Sequence, residues 1–176
     1  MLIMCAWRYR LVALVVPVVA ASLGPLVGSA DGASFVGSAD VTPLVGSADG
    51  ADGTASAGQA LTMVNRERAR AGCASLWVVP KLQTPAERQS RDQAARDGFG
   101  HDGADGSTVD SRLSGLGYSR WGENVAQSQS AHAAVSFWSS SPRHRANMLN
   151  CVFKETGLAV AQSGSGKLYW TQTFGG

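Results

Sequence analysis

Hydrophobic positions along the chain fall into short periodic runs separated by glycine, proline and serine. Ala60, Leu61, Val64 and Ala71, with the aliphatic stem of Arg68 between them, recur at helical spacing, and Gly72 follows as a terminator. That pattern predicts a helix over 58–71. Thr84-Pro85-Ala86-Glu87 reads as a second helix start, in which the threonine caps, the proline fits the first turn and the glutamate completes a capping box. This helix is expected to run to Asp97 and stop at Gly98. Its core-facing stripe of Leu82, Ala86, Gln93 and Ala94 is thin, which predicts weak packing.

Residues 107–117 predict a short helix with Leu113 and Leu116 buried, and Trp121–Ala126 a strand. Ala131, Ala134, Val135 and Trp138 give the i, i+3, i+4, i+7 stripe of a further helix that ends before Pro142. Ser141-Pro142 then opens a last short helix, with the serine hydroxyl as cap and proline at the first position. Two alternating runs, 157–162 and 167–174, are joined by Ser163-Gly164-Ser165-Gly166 and predict a hairpin with a flexible turn. Helices followed by an antiparallel pair imply an α+β layered domain.

The first 57 residues follow none of these patterns. Arg8 and Arg10 precede an apolar run from Leu11 to Leu23, and small residues follow, so residues 1–22 read as a secretory signal peptide with cleavage near Ala21. The run is shorter than the ~20 residues a membrane span needs, so no stable span is expected after cleavage. Residues 23–57 are rich in Gly, Ala, Ser and Asp and carry Val-Gly-Ser-Ala-Asp three times, at 27–31, 36–40 and 45–49. They hold too few large apolar groups to offset the entropy of ordering and are expected to form a disordered spacer. The folded domain is placed at 58–176.

Charge narrows the partners. The 15 Lys and Arg stand against 13 Asp and Glu. From residue 58 onward there are 13 basic and 9 acidic groups, a scattered excess that argues against nucleic acid. Arg66, Arg68 and Arg70 alternate along a helix and read as a solvated face. Cys5 lies in the signal segment, leaving Cys73 and Cys151, which an exported chain is expected to join as a disulfide. His144 falls in the first turn of the Ser141-Pro142 helix, and the groups suited to share a site with it are His101, on a glycine-rich loop, and Glu123.

Several short motifs occur in one order. They are Asn65-Arg66-Glu67-Arg68 with Gly72-Cys73, Gly100-His101 with Asp105-Gly106, Arg112, Gly117-Tyr118 and Gly122-Glu123-Asn124. Trp138, Ser141-Pro142-Arg143-His144-Arg145-Ala146-Asn147, Gly157 and Tyr169-Trp170-Thr171-Gln172 with Phe174-Gly175 complete the set. From 58 to 176 the chain resembles the CAP (SCP-like) superfamily of cysteine-rich secretory proteins, antigen 5 and pathogenesis-related proteins. Its paired cysteines resemble the exported bacterial, actinobacterial-type branch. The resemblance implies a three-layer α–β–α sandwich with a central antiparallel sheet and a large cleft. It also implies that His101, Glu123 and His144 line that cleft. A second cleft acid, usual in the family, has no counterpart on the helix ending Phe137-Trp138-Ser139-Ser140-Ser141. Gln89 and Gln93 stand where related bacterial sequences often carry His and Met.

Two imidazoles and a carboxylate are a donor set for a divalent cation with an open position, so His101, Glu123 and His144 are candidate ligands for zinc, calcium or magnesium. No separate general base and no Ser or Cys nucleophile is marked by spacing, so no catalytic residue is assigned. The expected function is a secreted, non-catalytic binding module for a lipid or sterol-like molecule, a glycan or an extracellular protein. A metal-dependent extracellular hydrolase and a cell-envelope interaction protein are the alternatives.

Overall fold

In the computed structural model, which describes residues 49–176, the two alternating runs at the carboxy end form the centre of the sheet. Strands β3 (Glu155–Gln162) and β4 (Leu168–Gly175) pair antiparallel, with Gly157 opposite Thr173 and Ala159 opposite Thr171. Strand β2 (Trp121–Gln127) pairs antiparallel on the other side of β4, placing Glu123 opposite Thr173 and Asn124 opposite Gln172. β4 has neighbours on both edges and helices on both faces, and its residues from Tyr169 to Gly175 are all buried.

A two-residue strand that the hydrophobic pattern does not announce, β1 (Trp77–Val78), adds in parallel to β3. The sheet order is β1-β3-β4-β2, so the expected antiparallel core carries one short parallel edge. β1 ends because the chain turns into a helix at Pro80. From there the Gln83 side chain takes over the pairing: its amide oxygen accepts from Leu158 N–H at 3.0 Å and its Nε2 donates to Leu158 C=O at 3.1 Å.

Side chains alternate along each strand and sort the helices into two outer layers. Leu158, Trp170, Phe174 and Ala126 face α1 (Asp49–Arg70), α4 (Ala131–Ser140) and α5 (Pro142–Met148), in a core completed by Val64, Val135, Trp138 and Met148. The opposite face, with Gly157, Ala159, Thr171 and Thr173, receives α2 (Pro80–Ala95). A Cβ on Gly157 would lie 2.2 Å from the Leu82 carbonyl oxygen, so the close approach of α2 to β3 requires glycine there. The three layers are the α–β–α sandwich expected of the chain.

Several boundaries differ from the sequence expectation. α1 begins at Asp49, nine residues before position 58, and so extends into the stretch read as spacer. An Ala- and Ser-containing segment propagates at low cost from packed turns that are already nucleated. α2 begins at Pro80 rather than at Thr84. Both prolines suit a first turn, and the earlier one wins because Val79 is held extended by its N–H bond to Thr156 C=O at 3.0 Å. Thr84 therefore caps nothing and donates instead to Pro80 C=O, while Glu87 accepts from Gln83. The thin stripe of α2 is compensated by hydrogen bonds: Ser90 donates to Ala159 C=O, and Thr173 to Leu82 C=O. Ser141 starts α5 by its backbone, but its hydroxyl makes no capping bond. Leu113, in α3 (Val109–Leu113), is buried as expected; Leu116, in the 3-10 turn that follows, is half-buried.

Arg68 departs most from expectation. Instead of a solvated face, its side chain lies at 0% exposure and donates to the carbonyls of Ala74, Met148, Asn150 and Phe153. Burial draws its pKa down from the ordinary arginine value. The guanidinium thus ties the end of α1 to the turn after α5, where the expected disulfide joins Cys73 to Cys151 with Cα atoms 5.0 Å apart. The signal-peptide and repeat assignments, and Cys5, lie outside the described residues. Among the described residues no helix is long and apolar enough to cross a membrane.

Candidate functional site

β2 is an edge strand of the sheet, at the end opposite β1, and the candidate site forms across it. Glu123 points to the α2 face, where its side chain is completely buried. Such a carboxylate must be paired. Arg112, at the end of α3, supplies the pair: its Nη2 lies 3.1 Å from Oε1 and 2.9 Å from Oε2, and the arginine side chain is only 5% exposed. The short helix that carries Arg112 is fixed by a reciprocal cap between Thr108 and Ser111. In the sequence Arg112 stands within a motif that marks no role for it, because ion-pair partners on separate elements leave no periodic trace in a sequence.

His101 completes this cluster from the loop after α2. Its Nδ1 lies 3.0 Å from Glu123 Oε1, and Arg112 Nη2 also donates to the His101 carbonyl at 2.7 Å. A carboxylate held by a guanidinium is an acceptor, so His101 donates through Nδ1–H and its Nε2 is left outward. The ring is 46% exposed, so this nitrogen is open to a ligand.

His144 reaches the same place from the other outer layer. Asn124, next to Glu123 on β2, donates to the His144 carbonyl at 2.9 Å, and Asn147, one turn on in α5, donates to Glu123 C=O at 3.2 Å and to Asn124 Oδ1 at 3.0 Å. The asparagines of the two motifs therefore bind α5 to β2. The His144 ring lies 6.5 Å from that of His101 and 5.2 Å from that of Phe137, which is exposed. Its Nδ1 is buried without a protein partner. Burial, and then the nearby charge of His101, lower the His144 pKa and favour the neutral imidazole.

The structure thus brings all three expected residues to one edge, but in unequal roles. The two histidines face each other, while Glu123 is committed at both oxygens. Among the described residues no three His, Cys, Asp or Glu are grouped so as to hold a metal ion. Two surface grooves, each of about 550 Å³, lie elsewhere: one beside Gln127–Gln129 and the β3–β4 turn, the other between α1 and α4. Neither is lined by His101, Glu123 or His144. His132 lies on the second and is exposed.

Comparison with known proteins places this geometry in context. Residues 61–174 match the model of the cysteine-rich secretory protein family, CAP. Among solved structures, an extracellular protein containing a SCP domain from Bacillus anthracis aligns at 28% identity and a TM-score of 0.60, over 70% of this chain and 41% of that one. This chain therefore spans about two fifths of that protein. An outer surface protein from Borrelia burgdorferi aligns at 16% identity and a TM-score of 0.60, over 65% of this chain and 87% of that one. A cysteine-rich secretory protein from Staphylococcus aureus aligns at 18% identity and a TM-score of 0.55, over 70% of this chain and 39% of that one. The last two likenesses bear on the fold alone. A sequence search of curated proteins finds no match.

Proposed function

The chain belongs to the cysteine-rich secretory protein (CAP) family, and from that premise we propose that it works outside the cell as a non-catalytic binding module. In this reading residues 1–22 direct export, and the edge bearing His101 and His144 receives the ligand. Its partner is a lipid or sterol-like molecule, a glycan or an extracellular protein.

The observation that carries the non-catalytic reading is the state of Glu123. A hydrolytic site whose two imidazoles are committed to a cation needs a separate carboxylate free to take a proton from water. Glu123 is buried and shared between Arg112 and His101, so its lone pairs are spent on holding neighbours in place. Cys73 and Cys151 are consumed by the disulfide.

A divalent cation fits the two imidazoles. His101 is held through Nδ1 by a carboxylate, which leaves Nε2 as donor, the arrangement that metal-binding histidines use. His144 is favoured in the neutral form a ligand requires. Glu123 would stand behind His101 rather than on the ion. Nitrogen donors select zinc over calcium or magnesium, which take oxygen. When bound, the ion supplies open positions to an oxygen atom of the ligand.

The test is an assay of the purified chain against denatured casein, with and without zinc and chelator, beside a His101→Ala/His144→Ala variant. The expected outcome is calorimetric zinc binding that the variant loses, with no turnover above background. Hydrolysis that both the chelator and the double substitution abolish would replace the binding module with a hydrolase.

A further inference from the structure

Two buried glutamines of α2 close on the residue that precedes His101. Gln89 donates from Nε2 to the Gly100 carbonyl at 2.9 Å, and the Gly100 N–H donates to Gln93 Oε1 at 3.3 Å. Gln93 uses its own Nε2 on Thr171 Oγ1 of β4 at 3.1 Å and on the Gln89 carbonyl at 3.4 Å. Both side chains are within 1% of full burial.

These amides sit on the sheet-facing stripe of α2, beside Ala86 and Ala94, where an aliphatic side chain would pack without needing partners. Burying an amide is unfavourable unless its donors and acceptor are met, so a pair of them is retained only with a matching target. Here the target is one residue, Gly100, gripped by its carbonyl from one glutamine and by its N–H from the other, so that the peptide units on both sides of it are held. The His101 carbonyl, one residue on, is held by Arg112. The loop is therefore fixed at three backbone polar groups, the Gly100 N–H and carbonyl before the His101 side chain and the His101 carbonyl after it, and the anchor runs through Gln93 to the central strand.

We propose that Gln89 and Gln93 are positioning residues of the ligand-binding edge, holding the backbone of Gly100 on both sides so that His101 keeps Nδ1 on Glu123 and Nε2 outward. This rests on the reading of His101 and His144 as the binding pair. Neither glutamine touches the ligand; they act through Gly100.

The proposal separates from a merely structural role by the state of the ring. In the ¹⁵N-labelled full chain, long-range imidazole correlations should show His101 as the Nδ1–H tautomer. In Gln89→Met/Gln93→Met, which keeps apolar volume and removes the clamp, His101 should pass largely to the commoner Nε2–H form, with His132 unchanged. Zinc affinity by calorimetry should fall about tenfold, at the lower end of what loss of an outer-shell partner brings. A folded double variant with the wild-type tautomer and a zinc Kd within twofold of wild type overturns the proposal. If the double variant does not fold, Gln89→Met, which frees the Gly100 carbonyl alone, decides by the same tautomer readout. A wild-type chain that binds no zinc overturns the cation reading, and the tautomer then judges the clamp by itself.

Discussion

Arg112 grips Glu123 by both carboxylate oxygens, and neither partner has appreciable contact with water. Such a pair adds little over an apolar equivalent, yet breaking it by removing one charge is costly because the other is stranded. Arg112→Met should destabilise the domain by about 3–5 kcal/mol. Arg112→Met/Glu123→Gln, which strands no charge, should recover most of that loss. Urea titration followed by tryptophan fluorescence measures both. A double variant no more stable than the single one would show that the arginine contributes by packing instead.

The disulfide between Cys73 and Cys151 closes a sequence separation of 78 residues. A loop of that length restricts the unfolded chain enough to contribute roughly 4–5 kcal/mol in the chain-entropy model. Arg68 crosses the same junction with four carbonyl bonds, so the native arrangement there is held without the covalent link. Cys73→Ser/Cys151→Ser should therefore fold to the same secondary structure by circular dichroism, with its unfolding midpoint strongly lowered. Loss of native circular dichroism at 25 °C in the absence of denaturant would show that Arg68 cannot hold the junction alone.

The parts of this fold that were legible in the sequence are those whose cause is local. The β3–β4 hairpin has a period of two and a Gly/Ser turn, and α4 has an unbroken apolar stripe, so each could be read in isolation. His101, Glu123 and His144 stood out by motif, since imidazoles and a carboxylate on short punctuated segments are distinctive residue types. What stayed hidden depends on partners distant in sequence. β1 is two residues long and exists because β3 offers an edge. Arg68 looked solvated because its four carbonyl partners lie elsewhere on the chain. The start of α2 required choosing between Pro80 and Pro85, and the bond from Val79 to β3 makes that choice. Gln89 and Gln93 read as a weak helix face because the peptide they hold belongs to a loop.

Asp97 adopts a left-handed backbone, with φ of 48°, and accepts from Lys167, Tyr169 and Ser165 at the β3–β4 turn. The Lys167 bond, followed by that of Tyr169, holds its carboxyl far below the usual range. A depressed carboxylate contributes stability that is present above the unfolded value, about 3.9, and lost as pH falls below it. The melting temperature of the wild type should thus exceed that of Asp97→Asn at pH 6 and approach it by pH 3. A gap that stays constant over that range would remove titration of Asp97 from the account.

His144 carries the opposite charge logic to the same sign. Its pKa is lowered, first by burial and then by the charge of His101, so the folded chain prefers the neutral ring. In the unfolded chain the imidazole protonates near its ordinary 6.5. The stability this preference contributes is therefore complete above that value and declines as pH falls through it, because protons then favour the unfolded state. Phe137 against the ring and the unpartnered buried Nδ1 leave an imidazolium poorly served at this position. His144→Gln, which cannot take up a proton, should flatten the fall in unfolding midpoint between pH 7.5 and 5.5. In the wild type, the proton resonances of the His144 ring should titrate with a midpoint below 6.5. A midpoint at or above that value, with the pH slope unchanged in the variant, would mean that the ring is solvated in solution and that the neutral state attributed to it as a cation ligand is not maintained by the fold.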